Sequence, residues 1–398
     1  MYNVRNVAED IWWLGASDRR LELFENAYPV PEGMSYNNYL IMDEKTCLMD
    51  GIDDAVTRQF MENLEQVLKG RSLDYMVVQH MEPDHCSAIP ELLLKYPDMK
   101  IVASQKAIQM IDQFYHLKVD GIVVKEKDTL CLGKHTLNFI GAPMVHWPEV
   151  IMTVDSCTGA FFSADAFGSF GALGGNLFAD EVDWEKDVLD EARRYYVNIV
   201  GKYGNMVTAV LNKTAAFDIK MLLPLHGYIW RQDLGNILDL YKKWATFTPE
   251  RNSVAIFYGS VYGNTANAAD VLAGKLAERG IRNVKVLDVS KTHVSVLLSE
   301  AFRYSTLVFA SATYNGEIFD NMYNFLVDIK NHNLAGRTVG IIENGTWAPV
   351  SGRKIAEIVS GLKNMTILEP TVSITSSLNE VSMDQLETLA AALGEALH

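Results

Sequence analysis

The sequence predicts two α/β domains in tandem, a sandwich of mixed sheets and helices followed by a doubly wound parallel sheet. Three observations carry that reading. The chain has 398 residues, beyond the size that one hydrophobic core usually serves. Strand-like and helix-like runs fill both sides of a polar, proline-containing break at Thr246-Phe247-Thr248-Pro249-Glu250-Arg251-Asn252. Beyond that break, five short apolar runs alternate with helical ones, the pattern of a parallel sheet covered on both faces. The expected domains are 1–249 and 250–398.

The elements follow in order. Ile11-Trp12-Trp13-Leu14 and Tyr39-Leu40-Ile41-Met42 are apolar and aromatic, and read as strands. Asp43-Glu44-Lys45 marks a hairpin turn before Thr46-Cys47-Leu48-Met49. Val56 to Leu68 has helical periodicity. Leu73 to Val78 is largely apolar. Lys100-Ile101-Val102-Ala103 precedes a helix over Ala107 to Phe114. Several strands are expected between Gly121 and Phe162, then a long helix from Asp187 to Val200, then the short strand Met221-Leu222-Leu223. In the second domain, strands are expected at Val254–Phe257, Val284–Leu287, Leu307–Ala310, Val339–Ile342 and Thr366–Leu368. Helices include Thr265 to Arg279 and Asp320 to Lys330. There is no internal repeat and no low-complexity segment.

The bulk numbers exclude some partners. Formal net charge is −15, so nucleic acid and anionic membrane are not expected ligands; both are bound through an excess of Lys and Arg. The four cysteines, Cys47, Cys86, Cys131 and Cys157, include no C-x-x-C pair. They are expected as buried or idle thiols, not as a disulfide framework or an iron–sulfur centre. The first residues, Met1-Tyr2-Asn3-Val4-Arg5, lead into acidic positions without an apolar segment, and no run approaches membrane-spanning length. The cytoplasm is the expected compartment.

Metal chemistry is written at one strand end. His80-Met81-Glu82-Pro83-Asp84-His85 closes the Leu73 to Val78 run. His146, Asp165 and His226 each follow a later apolar run. Together these residues offer four imidazoles and three carboxylates, enough for two metal ions. A helix spreads consecutive ligands around its surface, so an irregular loop is expected, and Pro83 restrains both itself and Glu82. Carboxylates among imidazoles favour iron or manganese over structural zinc. Asp165, standing between two histidine-containing halves, is the expected bridge. Trp147 and the pair Tyr195-Tyr196 are candidate lining or hydrogen-bonding aromatics, with Trp147 and Tyr196 taken as the active-site members.

The second domain carries a phosphate cradle. Ser260-Val261-Tyr262-Gly263-Asn264-Thr265 follows an apolar strand and opens a helix, where backbone N–H groups and the Ser260, Asn264 and Thr265 side chains can hold a phosphate. Ser311-Ala312-Thr313-Tyr314-Asn315-Gly316 and Asn344-Gly345-Thr346-Trp347-Ala348-Pro349 follow later strands. In a doubly wound sheet these loops meet at the carboxyl edge. Small residues admit a flat ring, and Tyr314 or Trp347 can stack on it. A single phosphate cradle favours FMN over FAD.

The pattern H-x-E-x-D-H with later His, Asp and His, joined to a flavodoxin-type domain, resembles the flavodiiron proteins, a branch of the metallo-β-lactamase fold. The resemblance covers the whole chain in domain order. It implies a metallo-β-lactamase-like αββα sandwich ahead of a flavodoxin-like sheet. It implies one iron on His80, Glu82 and His146, a second on Asp84, His85 and His226, and Asp165 between them under an oxo or hydroxo bridge. In some members the histidine matching His85 turns away from the metal. The remaining histidines, His116, His135, His293, His332 and His398, match nothing. A histidine common in relatives before the Pro29 to Tyr36 segment is replaced within Leu23-Phe24-Glu25-Asn26.

The resemblance implies four-electron reduction of O2 to water, with FMN relaying electrons to the irons. The alternatives are reduction of NO to N2O at the same site, or a zinc hydrolase, against which Glu82 and the flavin domain both count. A flavodoxin-like electron carrier with a degenerate metal domain is a third class. A head-to-tail homodimer or a dimer of dimers is implied. No C-x-x-C pair follows residue 252, so an external donor is expected: a rubredoxin, F420H2 or another reductase.

Overall fold

The computed structural model describes residues 2–397, so that His398 lies outside the described residues. The chain divides into two compact units, residues 1–242 and 243–398.

The first unit holds two facing sheets. One has seven strands in the order Arg5–Ala8, Ile11–Trp13, Tyr39–Met42, Thr46–Met49, Tyr75–Val78, Lys100–Ala103 and Ile122–Val123. It is antiparallel up to Thr46–Met49 and parallel thereafter. Asp43 to Lys45 makes the expected hairpin, with Met42 opposite Thr46. The other sheet has five strands: Thr129–Cys131, Thr136–Gly141, Ile151–Asp155, Ala160–Phe162 and Met221–Leu223. Alternate residues of both sheets, among them Tyr39, Met49, Val77 and Val102 from one and Phe139, Ile151, Phe162 and Leu223 from the other, form one buried cluster. Their period-2 spacing sends them all to the inner faces. The helix Thr57–Leu68 buries Phe60, Leu64 and Val67, spaced at one helical face.

The expected long helix over Asp187 to Val200 is broken. Trp184–Asp187 and Leu189–Tyr195 are α-helical, but Val188 leaves helical geometry and Tyr196–Val200 is a π-helical turn. The β-branched run Val197, Ile199 and Val200 before Gly201 disfavours regular continuation. Tyr195 and Tyr196 are successive helical residues, so their side chains leave the axis about 100° apart and meet different surroundings.

The second unit is a parallel sheet in the order Lys285–Asp288, Arg251–Gly259, Tyr304–Tyr314, Thr338–Asn344 and then Thr366–Ile367 and Val372–Ile374. Arg251 and Asn252, expected in the linker, belong to the first of its strands in the chain. The third strand runs on to Tyr314 and turns through Asn315 and Gly316, both at positive φ, into a short hairpin with Glu317–Ile318. The last strand is split. Thr366–Ile367 pairs with Thr338–Val339, whereas Val372–Ile374 pairs with Ile342–Asn344. Pro370 lies in the gap and has no N–H for a ladder. The carboxyl end of this strand is therefore Ile374, beyond the expected Leu368.

Candidate functional site

The strand Tyr75–Val78 ends against Asp50, whose carboxylate accepts from the Gln79 amide (2.7 Å), the Gln79 side chain (2.9 Å) and the His80 amide (3.3 Å). That fixes where His80 starts. Glu82 stays extended, and Pro83–Cys86 then forms one helical turn, not the irregular loop expected from sequence. Proline suits the first helical position, where no backbone donor is needed, so the residue that argued for a loop starts a turn instead.

The seven predicted residues converge in two groups. In one, Glu82 Oε2 lies 3.2 Å from His80 Nε2 and 3.0 Å from His146 Nε2. In the other, Asp84 Oδ2 lies 3.2 Å from both His85 Nε2 and His226 Nε2. Asp165 stands between them. Its Oδ2 is 3.2 Å from His80 Nε2 and 3.1 Å from His146 Nε2, and its Oδ1 is 3.1 Å from His85 Nε2 and 3.6 Å from His226 Nε2. His85 faces the cluster, its ring centroid 4.6 Å from that of His226.

The chemistry of the donors fits bound cations. His226 Nδ1 donates to the Ser35 carbonyl (2.7 Å), and His80 Nδ1 donates to Glu149 Oε1 (2.8 Å). Each imidazole thereby presents a bare Nε2 inward. Both oxygens of Asp84, both nitrogens of His85, Asp165 Oδ1 and His226 Nε2 are buried without a hydrogen-bond partner. Orphaned buried polar atoms are rare, and so many at one point call for ions. Donor atoms spaced near 3 Å suit metal–ligand bonds of about 2.0–2.2 Å. The cluster contains no sulfur: the Cys86 thiol lies 3.2 Å from the Met81 carbonyl and 3.0 Å from the Tyr115 hydroxyl. An all-N/O set rich in carboxylate suits iron.

The electrostatics agree. Burial alone lowers the affinity of His85 for a proton, but the Asp84 and Asp165 carboxylates outweigh it and raise His85 to about 10. Burial likewise opposes His146, and hydrogen bonds with Asp165 and Glu82 lift it to about 9. Burial works against ionisation of Asp84, but His85 and His226 hold it well below the usual carboxylate range. The site demands positive charge.

Of the aromatics, Trp147 meets the His80 ring edge-on at 5.3 Å. Tyr196 is a correction. It packs on Tyr241 at 4.9 Å, and Tyr195 is the one beside the cluster, 5.5 Å from the His226 ring. Successive helical residues point about 100° apart, so only one of the two tyrosines faces the cluster. Sequence reasoning missed Glu149 and Asp50, although Glu149 follows His146 by three residues after a proline, and a buried carboxylate near a ligand histidine is a usual orienting partner.

A cavity of about 480 Å³ opens onto Glu82 and Asp84, lined also by Leu23, Phe24, Glu25 and Tyr36. Glu25 and Asn26 both have positive φ in the turn between Leu23–Phe24 and Tyr28–Pro29. That conformation is uncommon for glutamate and turns the loop tightly at the cavity mouth. Desolvation, then the Glu82 carboxylate to which it hydrogen-bonds, raises Glu25 to about 8.

In the second unit, a cleft of about 650 Å³ lies at the carboxyl edge of the sheet. Every predicted flavin residue lines it except Gly263: Ser260, Val261, Tyr262, Asn264, Thr265, Ala312, Thr313, Tyr314, Asn315, Gly316, Asn344, Gly345, Thr346, Trp347 and Ala348. Gly263 sits at φ 92 as the helix Asn264–Glu278 begins, and its N–H donates to Ser260 Oγ at 3.1 Å. Gly345 is needed for a different reason, since a Cβ there meets the Pro349 backbone at 2.7 Å. No Lys or Arg is among the described residues lining the cleft. A helix N-terminus and turn amides can hold a phosphate without one, so the cleft fits FMN. Val350 and Ser376 also line it. Ser376 follows the strand Val372–Ile374, beyond Leu368, where the sequence pattern ends the last strand.

Comparison with known proteins extends this picture. Residues 34–227 match the family described as ODP family beta lactamase, and residues 256–391 match flavodoxin. The anaerobic nitric oxide reductase flavorubredoxin of Escherichia coli strain SMS-3-5 is 31% identical over 348 residues, covering 86% of this chain and 72% of that protein. Among solved structures, the rubredoxin oxygen:oxidoreductase from Desulfovibrio gigas superposes with a TM-score of 0.93 at 27% identity, covering 99% of this chain and 98% of that one. A flavoprotein from Thermotoga maritima gives a TM-score of 0.91 at 27% identity, covering 100% and 99%. With this fold, this identity and this coverage, the chain belongs to the flavodiiron family of oxidoreductases.

Proposed function

We propose that the protein reduces O2 to water, or NO to N2O, with electrons fed through FMN to a non-haem diiron site. One observation carries the reading: Asp165 turns one carboxylate oxygen to each of two buried His–carboxylate triads, in a chain that also holds a flavin cleft. When bound, FMN supplies and accepts electrons and the iron pair supplies the open positions at which the gas is reduced. His80, Glu82 and His146 would hold one ion and Asp84, His85 and His226 the other, with Asp165 between the two groups. Glu149 and the Ser35 carbonyl fix two of the imidazoles in the tautomer that leaves Nε2 free.

The residues around the site serve proton supply and exclusion of water. Glu25 stands beside Glu82 at the cavity mouth, placed to deliver a proton there. Leu23, Phe24 and Trp147 keep apolar surface close to the ligands. In the second unit, Tyr314 and Trp347 line the cleft and would stack on the flavin ring, and Ser260, Asn264 and Thr265 would hold its phosphate.

The supporting relatives divide: one is named for nitric oxide and another for rubredoxin and oxygen. An external rubredoxin is the proposed donor, with F420H2 or another reductase as the alternative. Head-to-tail pairing of chains, with the flavin of one serving the irons of the other, is the proposed assembly, and a stable, active monomer in solution contradicts it. Among the described residues no helix is long and apolar enough to cross a membrane. Four free cysteines suit a reducing compartment, and the cytoplasm is the proposed one.

Photoreducing the iron- and flavin-loaded protein without air, then mixing it with each gas, tests this. Fast flavin reoxidation by O2 without peroxide, or by NO with N2O, is expected. Reoxidation by neither gas refutes the reading.

A further inference from the structure

A third cavity, of about 310 Å³, lies in the first unit and shares no lining residue with the metal-site cavity or the flavin cleft. Arg5 and Trp13 both line it. They stand opposite each other in the antiparallel ladder of Arg5–Ala8 with Ile11–Trp13, so their side chains leave the sheet on one face. Trp13 is buried, with its indole N–H donating to Asn37 Oδ1 at 2.8 Å. Leu173 and Leu177 are buried too and complete the apolar part of the lining. Arg19 follows the strand Ala16–Asp18, and its Nη2 donates to the Leu173 carbonyl at 2.5 Å.

Charge sets this cavity apart. The chain carries a formal net charge of −15, yet no Asp or Glu is among the described residues that line it. The acidic neighbour in sequence, Asp18, is engaged elsewhere: its Oδ1 accepts the Arg20 amide (2.8 Å) and Arg20 Nε (3.3 Å). Among the described residues the Arg5 guanidinium has no hydrogen-bond or ion-pair partner, and Arg19 has none beyond the Leu173 carbonyl. Salt screens exposed charges beyond about 8 Å, so the two guanidiniums decide the local potential and the distant acidic groups do not. Two arginine forks facing one concavity without a carboxylate are unused donors of the strongest kind, shaped for a planar or tetrahedral oxyanion. Gln59 and the backbone of Gly174 and Gly175 add uncharged polar groups to the same lining.

We propose that this cavity binds a phosphate monoester, with Arg5 and Arg19 gripping the phosphate and Trp13, Leu173 and Leu177 covering the organic part. A phosphate monoester carries roughly −1.5 to −2 charges at pH 7, which two guanidiniums match and a single carboxylate does not. The volume decides between the ester and free phosphate. It falls at the small end of the range for small-molecule pockets, about 300–1,000 Å³, and exceeds what a bare phosphate fills.

The test uses the full chain with iron and FMN bound, so that neither of those sites is left open to the probe. Ribose 5-phosphate and inorganic phosphate are titrated by calorimetry. One ribose 5-phosphate per chain is expected, bound at least tenfold more tightly than inorganic phosphate. Arg5→Gln and Arg19→Gln should each weaken it at least tenfold. Arg5 has no partner to lose, so Arg5→Gln carries the test if Arg19→Gln does not fold. As a second reading, the ester should slow phenylglyoxal modification of Arg5 and Arg19 at least fivefold by peptide mass, with exposed Arg353 in the other unit unchanged. No saturable binding overturns the site. Undiminished binding in Arg5→Gln overturns it as well, because the ligand then sits elsewhere. Equal affinity for the two probes overturns the ester and leaves free phosphate as the ligand.

Discussion

The metal cluster and the flavin cleft are assembled in different ways. In the first unit, seven side chains from four separated stretches, 80–85, 146, 165 and 226, close on one buried point. In the second, three loops line an open cleft, and Tyr262 and Trp347 stand 94% and 90% exposed. The cluster depends on side-chain atoms that nothing else satisfies. The cleft depends on backbone amides at a helix start and on close approach at glycines. Replacing one side chain should therefore cost far more in the first unit than in the second.

The largest effect is expected at Asp165, which faces both triads. Asp165→Ala should lose more than 90% of bound iron and slow gas reduction more than 100-fold while keeping a full complement of flavin, as metal analysis and the visible spectrum would show. Retained iron with normal turnover would erase the contrast between the units. Glu149→Ala comes next. It leaves His80 a ligand but removes its orienting carboxylate, so iron affinity should fall roughly 10- to 100-fold with flavin unchanged. An unaltered iron titration would mean that the Glu149 contact is packing alone.

Trp347→Ala should be milder. Aromatic stacking contributes about 0.5–1.5 kcal/mol, so FMN should bind roughly 2- to 13-fold more weakly, with iron unaffected. A loss of a hundredfold would show that the cleft, too, hangs on one side chain. The smallest effect concerns Glu25. Its folded pKa, about 8, is raised above the ordinary 4.5, so between those values the folded metal-free protein holds a proton that the unfolded chain has lost. Stability therefore falls as pH rises through that window. Glu25→Gln should flatten this part of the pH–stability curve, and equal slopes in both proteins would show that Glu25 is not protonated there.

The same contrast explains what is legible in the sequence. Candidate metal ligands are few residue types at strand ends, so residue type and position alone single out His80, Glu82, Asp84, His85, His146, Asp165 and His226, which the fold brings together. The flavin loops are contiguous, so their residues also stand out together. What stays hidden depends on backbone geometry. The rotation of the helix Leu189–Tyr195 about its axis decides that Tyr195, not Tyr196, meets His226. Pro370 splits a strand and moves the edge to Ser376. Asp50 acts on the His80 backbone over a long sequence separation with no local pattern to mark it, whereas Glu149, three residues past His146, orients the distant His80 and not its own neighbour.

The central claim is that two ions share Asp165. Loading the protein with iron-57 and recording Mössbauer spectra, with metal analysis on the same sample, tests it most directly. The account predicts two irons per chain, magnetically coupled, with the coupled signal lost in Asp165→Ala. One iron per chain, or two that behave independently, would contradict it.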